Sequence, residues 1–266
     1  MSWLYKYISK CLPLIVLTGL ILLSFGGCAK IGMQRGIPVL SFRTVHTYPH
    51  DPTAFTQGLV IDNGVLYEST GLYSRSSLRR VDLESGKILQ QHNLPPQYFG
   101  EGITVFGSRI IQLTWKFGVG FIYDKNTFEP LGSFTYPGEG WGITHDGKSL
   151  IMSDGSATIR FLNPNTFAEE RRINVADETG PVPLLNELEY VRGTIYANVW
   201  ETNRIALIDP GTGKVKGWLD LTDILPEESL SNRPPGVLNG IAYDADKEAM
   251  YITGKLWPLL FHIEIL

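Results

Sequence analysis

The stretch FTQGLVIDNGVLYE at residues 55–68 contains two short runs of strand-forming residues separated by a turn. The turn, Asp62-Asn63-Gly64, offers residues that readily adopt the positive φ of a tight hairpin. The first run contains a triplet of a polar or aromatic residue, a glycine and an aliphatic residue, and this order returns along the chain. The repeated triplets are Gln57-Gly58-Leu59, Glu101-Gly102-Ile103, Trp141-Gly142-Ile143 and Asn239-Gly240-Ile241, while Asn186-Glu187-Leu188 fills the same slot without the glycine.

Neighbouring triplets lie about 40 to 53 residues apart, so five units cover the chain. Each unit continues with a turn, a second strand and a third strand that ends in an acidic or amide residue, as at Val81-Asp82. A four-stranded repeat of this length is typical of a propeller blade. The sequence therefore predicts an all-β fold, a five-bladed β-propeller. A β-sandwich or barrel and an open repeat array are the alternatives.

The fifth unit stops after its third strand, so its outer strand has to come from elsewhere in the chain. The segment Val39–Val45 precedes the first unit and is strand-like. We expect it to pair with the last blade and close the ring, because this arrangement removes two free sheet edges.

The N-terminal segment is typical of an export signal. Lys6 and Lys10 precede an apolar core at 12–23, and small residues then lead to Cys28. Phe25-Gly26-Gly27-Cys28 resembles a bacterial lipobox, in which Cys28 becomes the lipidated first residue; a plain signal anchor or a different cleavage site is the alternative. This interpretation divides the chain into a signal peptide at 1–27, a tether at 28–38 and a propeller domain at 39–266. It predicts a protein of the cell envelope, in the periplasm or on the outer surface, held on a membrane by lipid chains.

Composition excludes several classes of protein. The chain has 43% hydrophobic and 19% charged residues, a formal net charge of −4 and only 2 cysteines. A disulfide scaffold needs more cysteine, and a nucleic-acid-binding surface needs a basic balance. With Cys28 lipidated, no cysteine is left for a metal site, and the 5 histidines show no ligand spacing. We therefore expect no metal and no cofactor.

The chemistry is expected where the inner strands of the five blades begin, because those strands line the central channel. This position carries a carboxylate, three amides and an indole, whereas a structural ring would repeat one small residue. A second ring is expected at the ends of the second strands, which return to the same rim. The first ring contains Gln57, Glu101, Trp141, Asn186 and Asn239, and the second contains Thr70, Trp115, Asp154, Trp200 and Lys255.

Phe55 and Phe99 lie two residues before Gln57 and Glu101, so the two rings predict an aromatic pocket with a few polar groups, the usual form of a small-molecule site. Glu101 is the best general acid or base in it, because aromatic surroundings raise a carboxyl pKa toward the range useful for proton transfer. Each assignment has a structural alternative: tryptophans pack between blades, Glu101 is a solvated turn residue, Lys255 forms a rim salt bridge and Asn186 caps a turn.

These residues also carry a family resemblance. The segments FTQGL, YFGEGI, QLTWK, GWG, LNELEY, ANVW and LNGIA follow one another from residue 55 to 242, and the chain resembles the glutamine cyclotransferases of plants and bacteria. The resemblance runs from about Phe42 to Ile265 and implies a five-bladed propeller, an acyltransferase that converts the N-terminal glutamine of a peptide into pyroglutamate and ammonia. It matches the catalytic glutamate to Glu101. It matches the substrate-binding residues to Phe55, Gln57, Phe99, Trp115, Trp141, Asn186, Trp200 and Lys255.

The expected partners are peptides or proteins with N-terminal glutamine and, through the lipid, a membrane; we expect no nucleic acid and a monomeric protein. Two other hypotheses remain open at this point. A non-catalytic propeller that binds a peptide or sugar would also present indoles and amides, since a fold does not imply an activity. A metal-dependent lactonase or hydrolase would need several converging oxygen or nitrogen ligands.

Overall fold

A computed structural model describes residues 36–229 and 235–266. The expected signal peptide, the lipidation site Cys28 and most of the tether lie outside the described residues. Within the described ranges, no helix is long and apolar enough to cross a membrane.

The described chain is built almost entirely of short antiparallel strands. Two strands precede the first blade, β1 (Val39–Leu40) and β2 (Phe42–Pro49). Blade 1 contains β3 (Thr56–Asp62), β4 (Val65–Thr70), β5 (Ser77–Val81) and β6 (Ile88–Asn93). Blade 2 contains β7 (Gly100–Phe106), β8 (Arg109–Thr114), β9 (Val119–Asp124) and β10 (Pro130–Thr135). Blade 3 contains β11 (Ile143–His145), β12 (Leu150–Ser153), β13 (Thr158–Leu162) and β14 (Glu169–Asn174).

A small hairpin of β15 (Ala176–Asp177) and β16 (Gly180–Pro181) leads to the second half of the chain. Blade 4 contains β17 (Leu185–Val191), β18 (Thr194–Val199), β19 (Arg204–Ile208) and β20 (Val215–Asp220). A short 3₁₀ helix, Glu227–Ser229, follows. Blade 5 contains β21 (Leu238–Asp244), β22 (Ala249–Gly254) and β23 (Leu259–Ile265).

The first strands of the blades form the inner ring. β3, β7, β11, β17 and β21 contact one another in that order, and β21 returns to β3. The apolar core is divided into five clusters between neighbouring blades. The prediction of a five-bladed β-propeller is confirmed.

The N-terminal strands differ in detail from the expected single closing strand. β2 pairs antiparallel with β23 and extends to Pro49, beyond the expected end at Val45. Val39 and Leu40 do not pair with the last blade: they pair in parallel with Trp218 and Leu219 of β20. Because these two residues add to an outer strand of blade 4, the N-terminal segment covers edges of two blades.

Register shifts in the inner strands place the site residues. In β3 the pairing shifts between Thr56 and Gly58, and Gln57 falls in the gap. The corresponding shift in β7, between Gly100 and Ile103, contains Glu101. Equivalent shifts occur in β17 and β21. A β-bulge redirects a side chain at the point where regular pairing is interrupted, so the repeated triplet turns its first residue away from the normal alternation.

The glycines of the triplet permit close approach between blades. A Cβ on Gly58 would lie 2.5 Å from the backbone nitrogen of Ile103, and a Cβ on Gly102 would lie 2.7 Å from that of Ile143. No side chain fits at these distances. The repeating glycine therefore reflects packing around the channel.

Blade 4 has Glu187 where the other blades have glycine. Its carboxylate accepts hydrogen bonds from the backbone N–H of Leu59 at 3.3 Å and of Ile241 at 2.8 Å, which joins blade 4 to blades 1 and 5. Glu189 accepts from the N–H of Tyr243 and from the hydroxyl of Thr144, both at 3.1 Å. Burial raises the pKa of Glu187 well above its usual value and raises the pKa of Glu189 to about 8.

Candidate active site

A cavity of about 270 Å³ lies where the inner strands begin. All nine residues that the sequence analysis assigned to the pocket line it, together with Leu72. The lining residues are Phe55, Gln57, Leu72, Phe99, Glu101, Trp115, Trp141, Asn186, Trp200 and Lys255.

Glu101 is the buried carboxyl group of the cavity, with 4% of its surface exposed. Its Oε1 accepts a hydrogen bond from Gln57 Nε2 at 2.9 Å, while Oε2 has no hydrogen-bond partner among the described residues. Burial raises the pKa of Glu101 well above the usual carboxyl value; the charge of Lys255 opposes this shift and the charge of Glu139 adds to it. A carboxyl group with a raised pKa and one free oxygen is suited to taking up and returning a proton near neutral pH.

Gln57 is itself held in place. Asn239 donates from Nδ2 to the backbone oxygen of Thr56 at 3.0 Å and to Gln57 Oε1 at 3.3 Å. A chain of two hydrogen bonds, from Asn239 to Gln57 and from Gln57 to Glu101, therefore fixes the orientation of the Glu101 carboxyl group. Asn239 was predicted in the first ring but not among the pocket residues, and in the structure it contacts Gln57.

Lys255 supplies the cation of the cavity, with only 5% of its surface exposed. Burial lowers its pKa to about 8, against the opposing effect of Glu101. Its Nζ lies 4.9 Å from the centre of the Phe55 ring and makes no hydrogen bond to the described residues. A buried ammonium group without a protein partner is available to an oxygen atom of a ligand.

The loop that carries Lys255 is tied to blade 1. Leu256 donates its backbone N–H to the oxygen of Ala54 at 2.7 Å. The buried ring of His50 bridges the backbone oxygen of Trp257 at 2.7 Å and Glu68 at 3.0 Å. These contacts set Lys255 against the segment that carries Phe55 and Gln57.

The walls of the cavity are aromatic rings in edge-to-face contact. Phe99 lies between Phe55 and Trp115, with ring centroids 6.1 Å and 5.6 Å apart. Trp141 in turn meets Trp200 at 5.6 Å with the ring planes 87° apart. Such contacts fix ring positions, so the shape of the cavity is set before a ligand enters.

Asn186 offers the remaining polar group. It is 2% exposed, and its Oδ1 is buried without a hydrogen-bond partner in the described structure. A buried polar atom without a partner is costly unless a ligand or water completes it. The Asn186 amide is thus a candidate for direct contact with a substrate.

The comparisons with known proteins agree with this geometry. A sequence profile described as Glutamine cyclotransferase matches residues 19–265. The chain belongs to the glutamine cyclotransferase family. A glutaminyl-peptide cyclotransferase from Arabidopsis thaliana is 39% identical over 269 residues, which cover 98% of this chain and 84% of that protein. The crystal structure of Myxococcus xanthus glutaminyl cyclase matches with a TM-score of 0.80 at 37% identity, covering 86% of this chain and 98% of that one.

The site of this glutamine cyclotransferase also holds residues that the sequence analysis missed. Glu139 lies behind the indoles, and its Oε2 accepts from Trp115 Nε1 at 2.7 Å and from Trp141 Nε1 at 2.9 Å. Leu72 reaches the cavity from a backbone with φ of 84°, a conformation unusual for a residue other than glycine. Neither residue belongs to the repeated triplet, although the position of Glu139 two residues before Trp141 was a usable signal.

Gln57, predicted as a substrate-binding residue, lines the cavity and also donates its amide nitrogen to Glu101. Asp154 pairs with Arg160 at 3.2 Å and bonds within its own turn. Among the described residues, no group of three or more His, Cys, Asp or Glu side chains is arranged to hold a metal ion.

Proposed function

We propose that this glutamine cyclotransferase converts the N-terminal glutamine of peptides into pyroglutamate, with Glu101 as the proton shuttle. The observation that carries the proposal is the buried Glu101 carboxyl group, with one oxygen fixed by Gln57 and the other free, inside an aromatic cavity beside Lys255. The names of the Arabidopsis and Myxococcus relatives describe the same class of reaction.

The reaction requires one proton to move within the substrate. The neutral α-amine attacks the γ-carboxamide carbon, a C–N bond forms, and the amine gives a proton to the Glu101 carboxylate. Glu101 then gives this proton to the departing nitrogen, the original C–N bond breaks, and ammonia leaves. The carboxylate is regenerated, so the step needs no other reactant. General acid–base catalysis of this kind contributes roughly 10²- to 10⁴-fold.

The other polar groups act on the carbonyl oxygen and on the shape of the substrate. Lys255 Nζ and Asn186 Nδ2 make no hydrogen bond to the described residues of the cavity, so they are the donors for the negative charge that develops on the γ-carbonyl oxygen. The aromatic walls hold the glutamine side chain folded toward its own α-amine. Positioning of this kind supplies much of the acceleration of a ring closure.

The deciding experiment is incubation of residues 29–266 with a peptide that begins with glutamine, followed by mass spectrometry. The expected result is loss of one ammonia per peptide, with no reaction of the same peptide beginning with asparagine. Glu101→Gln should lower kcat by at least about a hundredfold while the far-UV circular dichroism stays unchanged.

A wild-type protein that binds the peptide but leaves its mass unchanged would instead favour the non-catalytic binding propeller. Activity that a chelator abolishes and added Ca²⁺ or Zn²⁺ restores would favour a metal-dependent enzyme.

We further propose that residues 1–27 direct export and that Cys28 carries lipid. This proposal rests on the charged flank, the apolar core and the Phe25-Gly26-Gly27-Cys28 segment of the sequence. Two acyl chains give stable membrane association where one chain gives only marginal binding. Expression of the full chain in a bacterium with labelled palmitate should label the wild type in the membrane fraction. Cys28→Ser should lose both the label and the membrane association; a labelled Cys28→Ser protein would contradict the proposal.

A further inference from the structure

Among the residues that the structure describes, Glu139 is the one carboxylate that accepts hydrogen bonds from two tryptophans of the cavity wall. A single oxygen, Oε2, accepts the indole N–H groups of Trp115 in blade 2 and Trp141 in blade 3. Trp115 touches Phe99, and Trp141 touches Trp200. The position of this one oxygen therefore fixes most of the aromatic lining.

The loop that carries Glu139 is itself anchored from beneath. Arg160, whose side chain is 5% exposed, donates to the backbone oxygens of Pro137 at 2.9 Å and Glu139 at 3.1 Å, and pairs with Asp154. Gly140 donates its N–H to the backbone oxygen of Trp115 at 3.1 Å. These hydrogen bonds hold the backbone of the loop, and with it the Glu139 carboxylate, in one position.

We propose that Glu139 is a positioning residue for the ring closure: its carboxylate locks the indoles of Trp115 and Trp141 as the walls that fold the substrate glutamine. This inference rests on the proposed function. Hydrogen bonds to a charged acceptor are stronger than those between neutral groups, so a carboxylate is a better lock than an amide or a water molecule. A wall that shifts by about 1 Å is enough to cost roughly a hundredfold in rate.

The charge of Glu139 has a second, separable effect on the reaction. It is one of the groups that raise the pKa of Glu101, after burial itself. Removing the charge lowers the pKa of Glu101, so its carboxylate form persists to lower pH. In the kcat profile, which reports groups in the enzyme–substrate complex, the acid limb should then move to lower pH.

The test compares Glu139→Ala, Glu139→Gln and the control Glu129→Ala, an exposed glutamate in blade 2. Glu139→Ala should lower kcat about tenfold to a hundredfold with a smaller change in KM. Glu139→Gln keeps an oxygen acceptor and should recover most of kcat, with the acid limb displaced to lower pH. Glu129→Ala should match the wild type.

The indole N–H groups provide a readout that does not depend on activity. In the wild type and Glu139→Gln the N–H protons of Trp115 and Trp141 should exchange slowly with deuterium by NMR, and in Glu139→Ala they should exchange much faster. If Glu139→Ala leaves kcat, KM and the exchange rates of the two indole N–H protons unchanged, the inference about Glu139 is overturned, while the proposed cyclase activity is not affected. A wild type inactive on every glutamine peptide would overturn the proposed function, and the exchange data would still decide whether Glu139 holds the indoles.

A separate observation concerns the rim of the cavity. Tyr73 is 47% exposed, and its ring lies 5.4 Å from that of Phe99 in an edge-to-face contact. The residues on both sides, Leu72 and Ser74, have φ of 84° and 64°. Ser74 donates its N–H to the oxygen of Pro96 at 3.0 Å, which braces the loop. A strained and braced backbone that holds an aromatic ring in solvent indicates a binding role.

We infer that Tyr73 contacts the second residue of the substrate peptide, favouring an aromatic or large apolar side chain there. The glutamine occupies the cavity, so the next residue has to leave it across the rim, and Tyr73 extends the aromatic wall in that direction. An aromatic contact is worth about 0.5 to 1.5 kcal/mol, or roughly two- to tenfold in kcat/KM.

The test is the ratio of kcat/KM for Gln-Phe-amide to that for Gln-Ala-amide. The wild type should prefer Gln-Phe-amide, Tyr73→Ala should lose most of the preference, and Tyr73→Phe should keep it. Leu131→Ala, an exposed apolar residue on outer strand β10, serves as the control with an unchanged ratio. A wild type without a preference, or Tyr73→Ala with the full ratio, would overturn the subsite, whereas failure to cyclise either dipeptide would overturn the proposed function instead.

Discussion

Burial moves the pKa values of Glu101 and Lys255 toward each other. The carboxyl pKa rises well above its usual value, and the ammonium pKa falls to about 8. The two shifts bring the proton affinities of the carboxyl group and the ammonium group closer together than in free side chains. This is the arrangement that a proton shuttle beside an oxyanion-stabilising cation requires.

The pH dependence of the reaction follows from Lys255. An α-amine with a pKa of about 7.7 to 8.0 becomes reactive as pH rises, while Lys255 loses its charge as pH rises through about 8. We expect kcat/KM to pass through a maximum near pH 8 and to decline on the alkaline side. In Lys255→Arg the arginine side chain stays charged at high pH. The alkaline decline of kcat/KM should therefore be absent from this variant below a pH of about 10, even where its maximal activity is lower. An alkaline limb that Lys255→Arg leaves in place would assign the decline to another group.

The inner strand is the element that converts the sequence repeat into a site. Its bulge directs Gln57 and Glu101 toward the channel, and its glycine lets the neighbouring strand approach. The two features occupy adjacent positions of one triplet. Because a related triplet recurs in each blade, the first residues of four blades line the cavity, namely Gln57, Glu101, Trp141 and Asn186, and that of the fifth, Asn239, holds Gln57.

Gly102→Ala tests this account of the element. The added Cβ would lie 2.7 Å from the nitrogen of Ile143 and 2.8 Å from Gly142 Cα, so the strands have to separate. Overpacking of this kind costs about 1 to 3 kcal/mol, and we expect urea unfolding to show a loss in that range together with reduced kcat. Gly132→Ala is the matched control, since a Cβ there meets nothing within 4 Å. Equal stability of the two variants would contradict close packing as the reason for the glycine.

The repeat explains which features the sequence could predict. Glu101, Asn186 and Trp141 are each the first residue of a repeated triplet. The spacing of the triplets is therefore enough to predict that the three side chains lie in one site. Glu139 is not part of a triplet. Its role depends on the orientation of the Trp115 and Trp141 indoles, which the spacing of the repeats does not specify. The parallel pairing of Val39 with Trp218 was missed for a similar reason, since two residues of strand carry no pattern that distinguishes one blade edge from another.

Across the whole molecule, blade 4 joins the other blades through its two buried carboxyl groups. Glu187 reaches the backbone of blades 1 and 5, and Glu189 reaches Thr144 in blade 3 and Tyr243 in blade 5. Burial raises the pKa values of both groups, so each binds its proton more tightly in the folded protein than in an unfolded chain. The ring is therefore held in part by groups whose charge state depends on pH.

This predicts a pH-dependent contribution to the stability of the propeller. The pKa of Glu189 is about 8 in the folded protein and near 4.3 in an unfolded chain. The folded state binds the proton more tightly, so the stabilisation is fully present below pH of about 4.3 and is lost as pH rises through about 8. Between pH 5 and 8 the free energy of unfolding should fall by an amount on the order of 2 to 4 kcal/mol from this group.

Glu189→Gln separates this effect from other titrating groups, since glutamine is neutral at every pH. The difference in unfolding free energy, wild type minus variant, should decline steadily from pH 5 to pH 8 in urea titrations. The outer-strand variant Glu169→Gln is the control, because Glu169 belongs to a partly exposed pair with Arg172 and should give a nearly constant difference. A constant difference for Glu189→Gln as well would mean that Glu189 stays ionised in the folded protein, with its two donors and the surrounding backbone sufficient to hold a buried charge.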